Sequence, residues 1–141
     1  MLTWGVLPFR RYAEFSGRSR RREFWFFVLF QYVLAAAWGA VLGLVMLLLY
    51  YADASEDMMM TICYVLLVPY ALYSLWAIIP GLAVTVRRLH DLDKSGWFIL
   101  LGLIPLIGSI ILLVWYATEG TRGPNRFGPD PLAGDAAQAF A

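Results

Sequence analysis

The chain has 141 residues, of which 61% are hydrophobic and only 15% are charged, and its mean hydropathy is +0.66. This balance excludes an ordinary soluble domain and is typical of one small membrane domain. The net charge of +1 gives no argument for a nucleic-acid partner. The single cysteine, Cys63, excludes an internal disulfide and is expected to be a small buried hydrophobic residue.

The first 23 residues mix apolar and basic side chains in a pattern typical of a short helix at a membrane interface. One side of this helix would carry the apolar residues Leu2, Trp4, Leu7, Phe9, Tyr12 and Phe15. Arg10 and Arg11 would lie on the opposite side. Gly5 and Pro8 weaken the helical pattern, so a solvated tail is the alternative.

Two long uncharged runs follow, over residues 24–52 and 58–86. Each is long enough to cross the ~30 Å hydrocarbon core as a helix. Pro69 and the pair Pro80-Gly81 predict that the second helix is kinked or that its membrane part ends early.

A strip of small residues runs along the first span, where Ala35, Gly39 and Gly43 recur every four positions. Helix backbones can approach each other closely along such a strip. Packing within the chain is the preferred interpretation, and a homo-oligomer contact is the alternative.

The basic residues are distributed unevenly around these runs. Six arginines precede the first span: Arg10, Arg11, Arg18, Arg20, Arg21 and Arg22. The acidic loop 53–57 contains no Lys or Arg, whereas the loop after the second span contains three basic residues, Arg87, Arg88 and Lys94. The positive-inside rule therefore predicts a cytoplasmic N-terminus, with the loop after the second span on the same side.

The third apolar segment, residues 97–117, is just long enough for one more crossing. Gly102, Pro105 and Gly108 interrupt its middle, so it could instead fold back as a re-entrant pair. A single crossing is preferred, since each half of a re-entrant pair would be far shorter than a normal span. The expected fold is thus all-α, a polytopic helical bundle with three transmembrane helices. Residues 1–131 would form one membrane domain and 132–141 a disordered tail.

Three polar motifs separated by the apolar runs resemble those of the YhaH-like family of small bacterial inner-membrane proteins. The motifs are Phe15-x-Gly17-Arg18-x-x-Arg21 with Glu23-Phe24-Trp25, Arg87-Arg88-Leu89-His90-Asp91 with Ser95-Gly96-Trp97, and Gly120-x-x-Gly123-x-Asn125-Arg126-Phe127-Gly128-x-Asp130-Pro131. The resemblance covers about residues 9–131 and implies an inner-membrane location. The family is a domain of unknown function, so the resemblance implies no activity. Asp93-Lys94 departs from it, because the family often has a glycine-containing turn there.

The arginines suggest two roles. Arg18, Arg21, Arg22, Arg87 and Arg88 should converge on one membrane face, where guanidinium groups could bind anionic lipid headgroups. The alternative is that arginines pair with Glu23, Asp91 and Asp93 and lock the helices together. The candidate binding set adds His90, Asp91, Asn125 and Arg126 to the five arginines.

Catalysis and metal binding have little support in the residues. His90 and Asp91 could act as a general base or proton relay, but neighbours on a helix do not face each other. One His and one Cys cannot supply a zinc site, so we expect no metal and no cofactor. The spans contain no charged residue, which argues against a monomeric transporter.

The preferred function is a non-enzymatic envelope or partner-binding component. A small membrane enzyme acting on a lipid or envelope intermediate through His90 and Asp91, and an oligomeric channel, are the alternatives.

Overall fold

A computed structural model describes residues 7–133, and the regular structure in this part of the chain is helical. Among residues 7–133, the long α-helices are α1 (Arg21–Tyr51) and α2 (Glu56–Asp91). A shorter helix, α3 (Ile107–Ala117), follows a 3₁₀ helix (Gly96–Leu103). The prediction of an all-α protein is confirmed. The predicted tail beyond residue 133 lies outside the described residues.

The chain before α1 contains less helix than the sequence predicts. Residues 7–10 are helical, a turn follows, and residues 18–20 have no regular structure. Gly17 has a φ of +82°, a conformation that ends a regular helix and suits glycine. Phe9 packs against Phe27, with 5.3 Å between the ring centroids. The expected contributions of Leu2 and Trp4 lie outside the described residues.

The two long helices match the predicted spans 24–52 and 58–86. With 31 and 36 residues, they are roughly 46 and 54 Å long at ~1.5 Å per residue. Their most apolar 18-residue windows are 0% and 6% buried within the chain. A core helix of a soluble protein would be mostly buried, so this exposed apolar surface favours a lipid environment.

Helix α2 is continuous through both prolines. It runs through Pro69 and Pro80 to Asp91, so the helix itself does not end at either of them. A kink, or an early end of the membrane part of α2, stays a prediction.

An aspartate in the left-handed conformation lies two residues beyond the end of each long helix. Asp53 and Asp93 have φ values of +53° and +56°. Each is followed by an amide that bonds back five residues, from Ala54 to Leu49 and from Lys94 to Leu89, at 3.0 Å in both cases. This is the Schellman arrangement, which glycine usually provides. Asp93 thus makes the turn for which the resembling family often uses glycine.

The third apolar segment is broken near its middle. Leu106, which follows Pro105, has a φ of +63° and separates the 3₁₀ helix from α3. Gly108 lies so close to Leu101 that a Cβ would overlap the Leu101 carbonyl. At 11 residues, α3 is about 17 Å long and cannot cross the core alone. The expected third span over 97–117 is therefore not confirmed.

The chain divides into two compact units, one from Leu29 to Ile78 and one formed by the residues up to Val28 with those from Ile79 onward. In the first unit, Trp38 Nε1 donates to the Leu66 carbonyl at 3.1 Å and Tyr73 donates to Gln31 at 2.7 Å. The second unit has an apolar core of Phe24, Phe27 and Val84, against which Phe9, Val28 and Tyr116 pack.

The strip of small residues does not pack within the part of the chain that the structure describes. A Cβ built on Gly39 or Gly43 meets no atom within 4 Å. The preferred interpretation, packing within the chain, is therefore wrong for these two glycines. Cys63 is half-buried, less than expected.

Candidate functional site

A buried ion-pair cluster lies at the end of α2. Asp91 accepts from Arg18, with the Nε and Nη2 atoms of Arg18 each 3.0 Å from Oδ1, and its second oxygen accepts from Arg88 Nη1. The side chain of Arg88 is 0% exposed, that of Arg18 2% and that of Asp91 7%. Two guanidinium groups from different segments therefore share one buried carboxylate.

A second buried ion pair joins α2 to α1. Arg87 Nη2 lies 3.1 Å from Glu23 Oε1, and both side chains are almost fully buried. The contact is an ion pair, and no well-formed hydrogen bond accompanies it at the two terminal nitrogens of Arg87 among the described residues. We call the five residues Arg18, Glu23, Arg87, Arg88 and Asp91 the polar latch.

Local sequence explains this placement. Arg88 and Asp91 are three residues apart and share one face of α2, whereas Arg87 lies about 100° around the helix and contacts Glu23. The positive φ of Gly17 turns the chain, and the Ser19 amide then donates to the Arg87 carbonyl at 3.0 Å. This bond holds Arg18 beside α2.

The third motif closes over the polar latch. Thr121 donates to the Asp91 carbonyl through its amide at 2.8 Å and its hydroxyl at 3.0 Å. Arg18 Nη1 donates to the Gly123 carbonyl at 2.6 Å. Gly120 lies so close to Asp91 that a Cβ would overlap the carboxylate. Only glycine fits there without displacing the carboxylate.

Carbonyl groups complete the coordination of Arg88. Its Nε donates to the Tyr116 carbonyl at 3.2 Å, and Nη2 donates to the Thr118 carbonyl. These acceptors belong to the last turn of α3 and to its C-cap, where the helix dipole favours a cation. Both ends of the third apolar segment thus lie beside the end of α2, since Gly96 also touches Val86.

His90 is held by the third motif and does not pair with Asp91. Its ring stacks on Phe127 with 3.9 Å between centroids and 4° between planes, and Nδ1 lies 3.2 Å from the Gly17 carbonyl. Asn125 donates to the His90 carbonyl at 2.9 Å. Burial lowers the pKa of His90, an effect that the Gly17 carbonyl opposes and the charge of Arg126 reinforces.

Arg126 lies at the exposed edge of this motif. Its Nε is 3.1 Å from Asp93 Oδ1 and Nη2 donates to the Asp93 carbonyl at 2.8 Å. Both side chains are about half exposed, so this pair contributes little stability, on the order of 0–1 kcal/mol.

The polar latch has more positive than negative groups, since three buried guanidinium groups face two buried carboxylates. Burial lowers the pKa of Arg88, and the carboxylate of Asp91 opposes this shift. A guanidinium nevertheless stays protonated at neutral pH. The carbonyls of Tyr116, Thr118 and Gly123 therefore supply acceptors that the carboxylates alone do not.

The predicted binding residues separate into two groups. Arg18, Arg87 and Arg88 are buried and, with Asp91, face protein groups, so their charges are paired within the chain. Arg21 and Arg22 are exposed. Sequence reasoning missed Gly120 and Thr121, whose contacts depend on a chain reversal that no spacing rule reveals.

The site offers little for metal or acid–base chemistry. Among residues 7–133, no group of three or more His, Cys, Asp or Glu side chains could hold a metal ion. Both oxygens of Asp91 already face arginines, and His90 faces Phe127 and Gly17. The two candidate catalytic residues therefore do not form an acid–base pair.

Two long apolar helices joined to a buried polar latch define a small helical membrane-type protein. The chain matches the family described as "Protein of unknown function (DUF805)" over residues 12–129, and it belongs to that family. It is 38% identical to the inner membrane protein YhaI of Escherichia coli strain K12 over 135 residues, covering 94% of this chain and 98% of the relative. It is 39% identical to the inner membrane protein YhaH of the same strain over 130 residues, covering 92% and 97%. No solved structure gives a significant match.

Proposed function

We propose that this chain is a multi-pass protein of the bacterial inner membrane and a non-enzymatic envelope or partner-binding component, held in shape by the polar latch. Its relatives YhaI and YhaH are inner membrane proteins. The exposed apolar surface of α1 and α2 supports the same location for this chain.

In the proposed topology, α1 and α2 cross the membrane and the segment 97–117 is re-entrant. Both ends of that segment contact the end of α2, through Gly96 and through the Tyr116 carbonyl. The N-terminus and the third motif would then share the cytoplasmic face, as the positive-inside rule predicts for Arg18 and the residues around it. This topology replaces the expected three spans with two and a re-entrant pair.

The observation that carries the proposal is the convergence on Asp91. Arg18 from before α1, Arg88 from the end of α2 and Thr121 from the third motif all donate to this residue. Each of the three polar motifs contributes a residue to this cluster, and the polar groups of these residues bond to other protein groups. The cluster supports a rigid cytoplasmic surface that a partner could recognise.

Arg88→Ala tests the latch. The variant leaves a cavity and removes the donor from Asp91 Oδ2 and from the carbonyls of Tyr116 and Thr118, so the free energy of unfolding should fall by about 3–5 kcal/mol. Arg10→Ala is the matched control, because Arg10 is exposed and outside the latch. Equal stability of the two variants in mild detergent would rule out the latch.

The exposed arginines support a second part of the proposal, the binding of anionic lipid at the cytoplasmic face. Arg21 and Arg22 are exposed at the start of α1, where headgroup phosphates would meet them in the proposed topology. Anionic lipid should co-purify with the wild type. The double variant Arg21→Gln/Arg22→Gln should lose this lipid. Arg87 and Arg88 take no part in this binding, because they are buried.

A homo-oligomer is the second candidate, and the exposed Gly39 and Gly43 favour it. Neither glycine contacts another described part of the chain, so a second copy could pack along this face together with Ala35. Gly39→Leu/Gly43→Leu should abolish a crosslinked dimer, and exclusively monomeric wild-type protein in membranes would dismiss this candidate. A channel would need such an oligomer.

A further inference from the structure

A cavity of about 380 Å³ opens beside the polar latch. Asp91 and Arg18 form part of its wall, and the third motif closes another side. Four arginines outside the latch also line it: Arg20, Arg21, Arg22 and Arg122. Two of these, Arg20 and Arg122, were not among the sequence-based binding candidates.

Arg21 and Arg122 keep donors for a ligand. Arg21 has one long bond, at 3.3 Å, to the Ala117 carbonyl. Arg122 is 88% exposed and lies 3.8 Å from Glu119, too far for a strong pair. Each guanidinium carries five N–H donors, so one carbonyl contact leaves most of them available.

The carboxylates in the wall are largely committed to protein groups. Asp130 accepts from the amides of Gly123 and Leu132 at 2.9 and 2.8 Å, and Asp91 belongs to the latch. Without counting Arg20, which bonds to Pro131, the three arginines Arg21, Arg22 and Arg122 outnumber the two remaining carboxylates, those of Glu119 and Asp130. The cavity favours an anion.

The start of α1 adds to this preference. Arg21 and Arg22 are the first two residues of a 31-residue helix, so the amides of its first turn have no acceptor within the helix. The helix dipole gives this end a partial positive charge. Arginine forks and helix amides together are the groups that proteins use to hold phosphate.

We propose that this cavity binds a phosphate group through Arg21, Arg22 and Arg122. The phosphate would be carried either by an anionic phospholipid headgroup or by a soluble phosphate ester. The inference rests on the proposed function for its membrane setting, and it converts a diffuse lipid attraction into one defined site. A diffuse attraction would depend on total charge near the surface, whereas the defined site depends on which arginines are present.

The experiment compares two variants that lose the same charge. Arg21→Gln/Arg22→Gln changes the cavity, and Arg10→Gln/Arg11→Gln removes two exposed arginines of the same N-terminal segment that do not line it. Binding of phosphatidylglycerol to the full chain in nonionic detergent is measured by native mass spectrometry. Binding of inorganic phosphate is measured by calorimetry.

The cavity variant should bind about 30-fold more weakly, on the basis of a roughly fivefold loss per arginine. The control variant should bind within about threefold of wild type. Equal losses in the two variants, or no binding of either probe to wild type, would overturn the proposal. Tight phosphatidylglycerol binding with weak phosphate binding assigns the site to a lipid, and comparable binding of the two assigns it to a soluble ester.

Two other measurements test the proposed function separately from the phosphate site. Arg88→Ala reports on the latch without removing an arginine that lines the cavity, and membrane fractionation of the wild type reports on location. If the latch and the location hold while the two double variants bind alike, the phosphate site and the lipid binding assigned to Arg21 and Arg22 are wrong. The inner-membrane location and the structural role of the latch would then stand.

Discussion

Asp91→Asn is the most informative single substitution in the polar latch. The asparagine side chain has nearly the same shape, so the change removes charge without creating a cavity. In the native protein, Asp91 accepts from Arg18 Nε at 3.0 Å and also from Arg88. After substitution, both guanidinium groups stay buried, and one position of the former carboxylate carries an amide NH₂ that repels them.

The expected cost follows from the charges. Three buried guanidinium groups would face one carboxylate, that of Glu23, in place of two. Removing one partner of a buried ion pair costs about 3–5 kcal/mol, because the remaining charge stays in a low-dielectric site. That is a large fraction of the 5–15 kcal/mol that stabilises a typical domain.

The assay is unfolding of the full chain in mixed micelles by a denaturing detergent, followed through the fluorescence of its six tryptophans. Asp53→Asn is the matched control, since it makes the same chemical change at an exposed position where asparagine accepts the positive φ. A free energy of unfolding for Asp91→Asn within 1 kcal/mol of that control would refute the reasoning.

Two further predictions concern neighbours of this cluster. Gly120→Ala should lower the free energy of unfolding by about 1–3 kcal/mol because its Cβ overlaps the Asp91 carboxylate, whereas Gly39→Ala, in open space, should not destabilise the protein; equal effects in the same unfolding assay would contradict the close packing. The pKa of His90 is lowered on folding, so the unfolded chain binds this proton more readily and stability should fall as pH drops through the ordinary value of 6.5. His90→Gln should flatten this part of the stability profile, and an unchanged slope would show that another group titrates.

Much of the helical framework could be predicted from the sequence. The uncharged runs 24–52 and 58–86 become α1 and most of α2, because hydrocarbon-length apolar stretches with charged flanks leave few other structures. The alternative that arginines pair with Glu23 and Asp91 also agrees with the contacts found. Cytoplasmic orientation stays a prediction.

The rest depended on contacts between distant parts of the chain. Arg18 meets Gly123 across 105 residues, and no local pattern encodes such a pairing. The break at Leu106 has the same origin: proline and glycine permit a break, but the contacts of Arg88 with Tyr116 and Thr118 show where the chain goes after it. The burial of Arg87 could not be predicted from the sequence either, because an arginine at the end of a span is typical of a membrane anchor. Only its contact with Glu23 distinguishes the two roles.

The central claim is that the three polar motifs meet at one membrane face, and the accessibility of position 122 tests it most directly. Single-cysteine variants Arg10→Cys, Asp53→Cys and Arg122→Cys, each in a Cys63→Ala background, are exposed to an impermeant maleimide on intact spheroplasts and again after permeabilisation. We predict that only Asp53→Cys is labelled on intact spheroplasts and that the other two react after permeabilisation. Labelling of Arg122→Cys together with Asp53→Cys on intact spheroplasts would contradict the account.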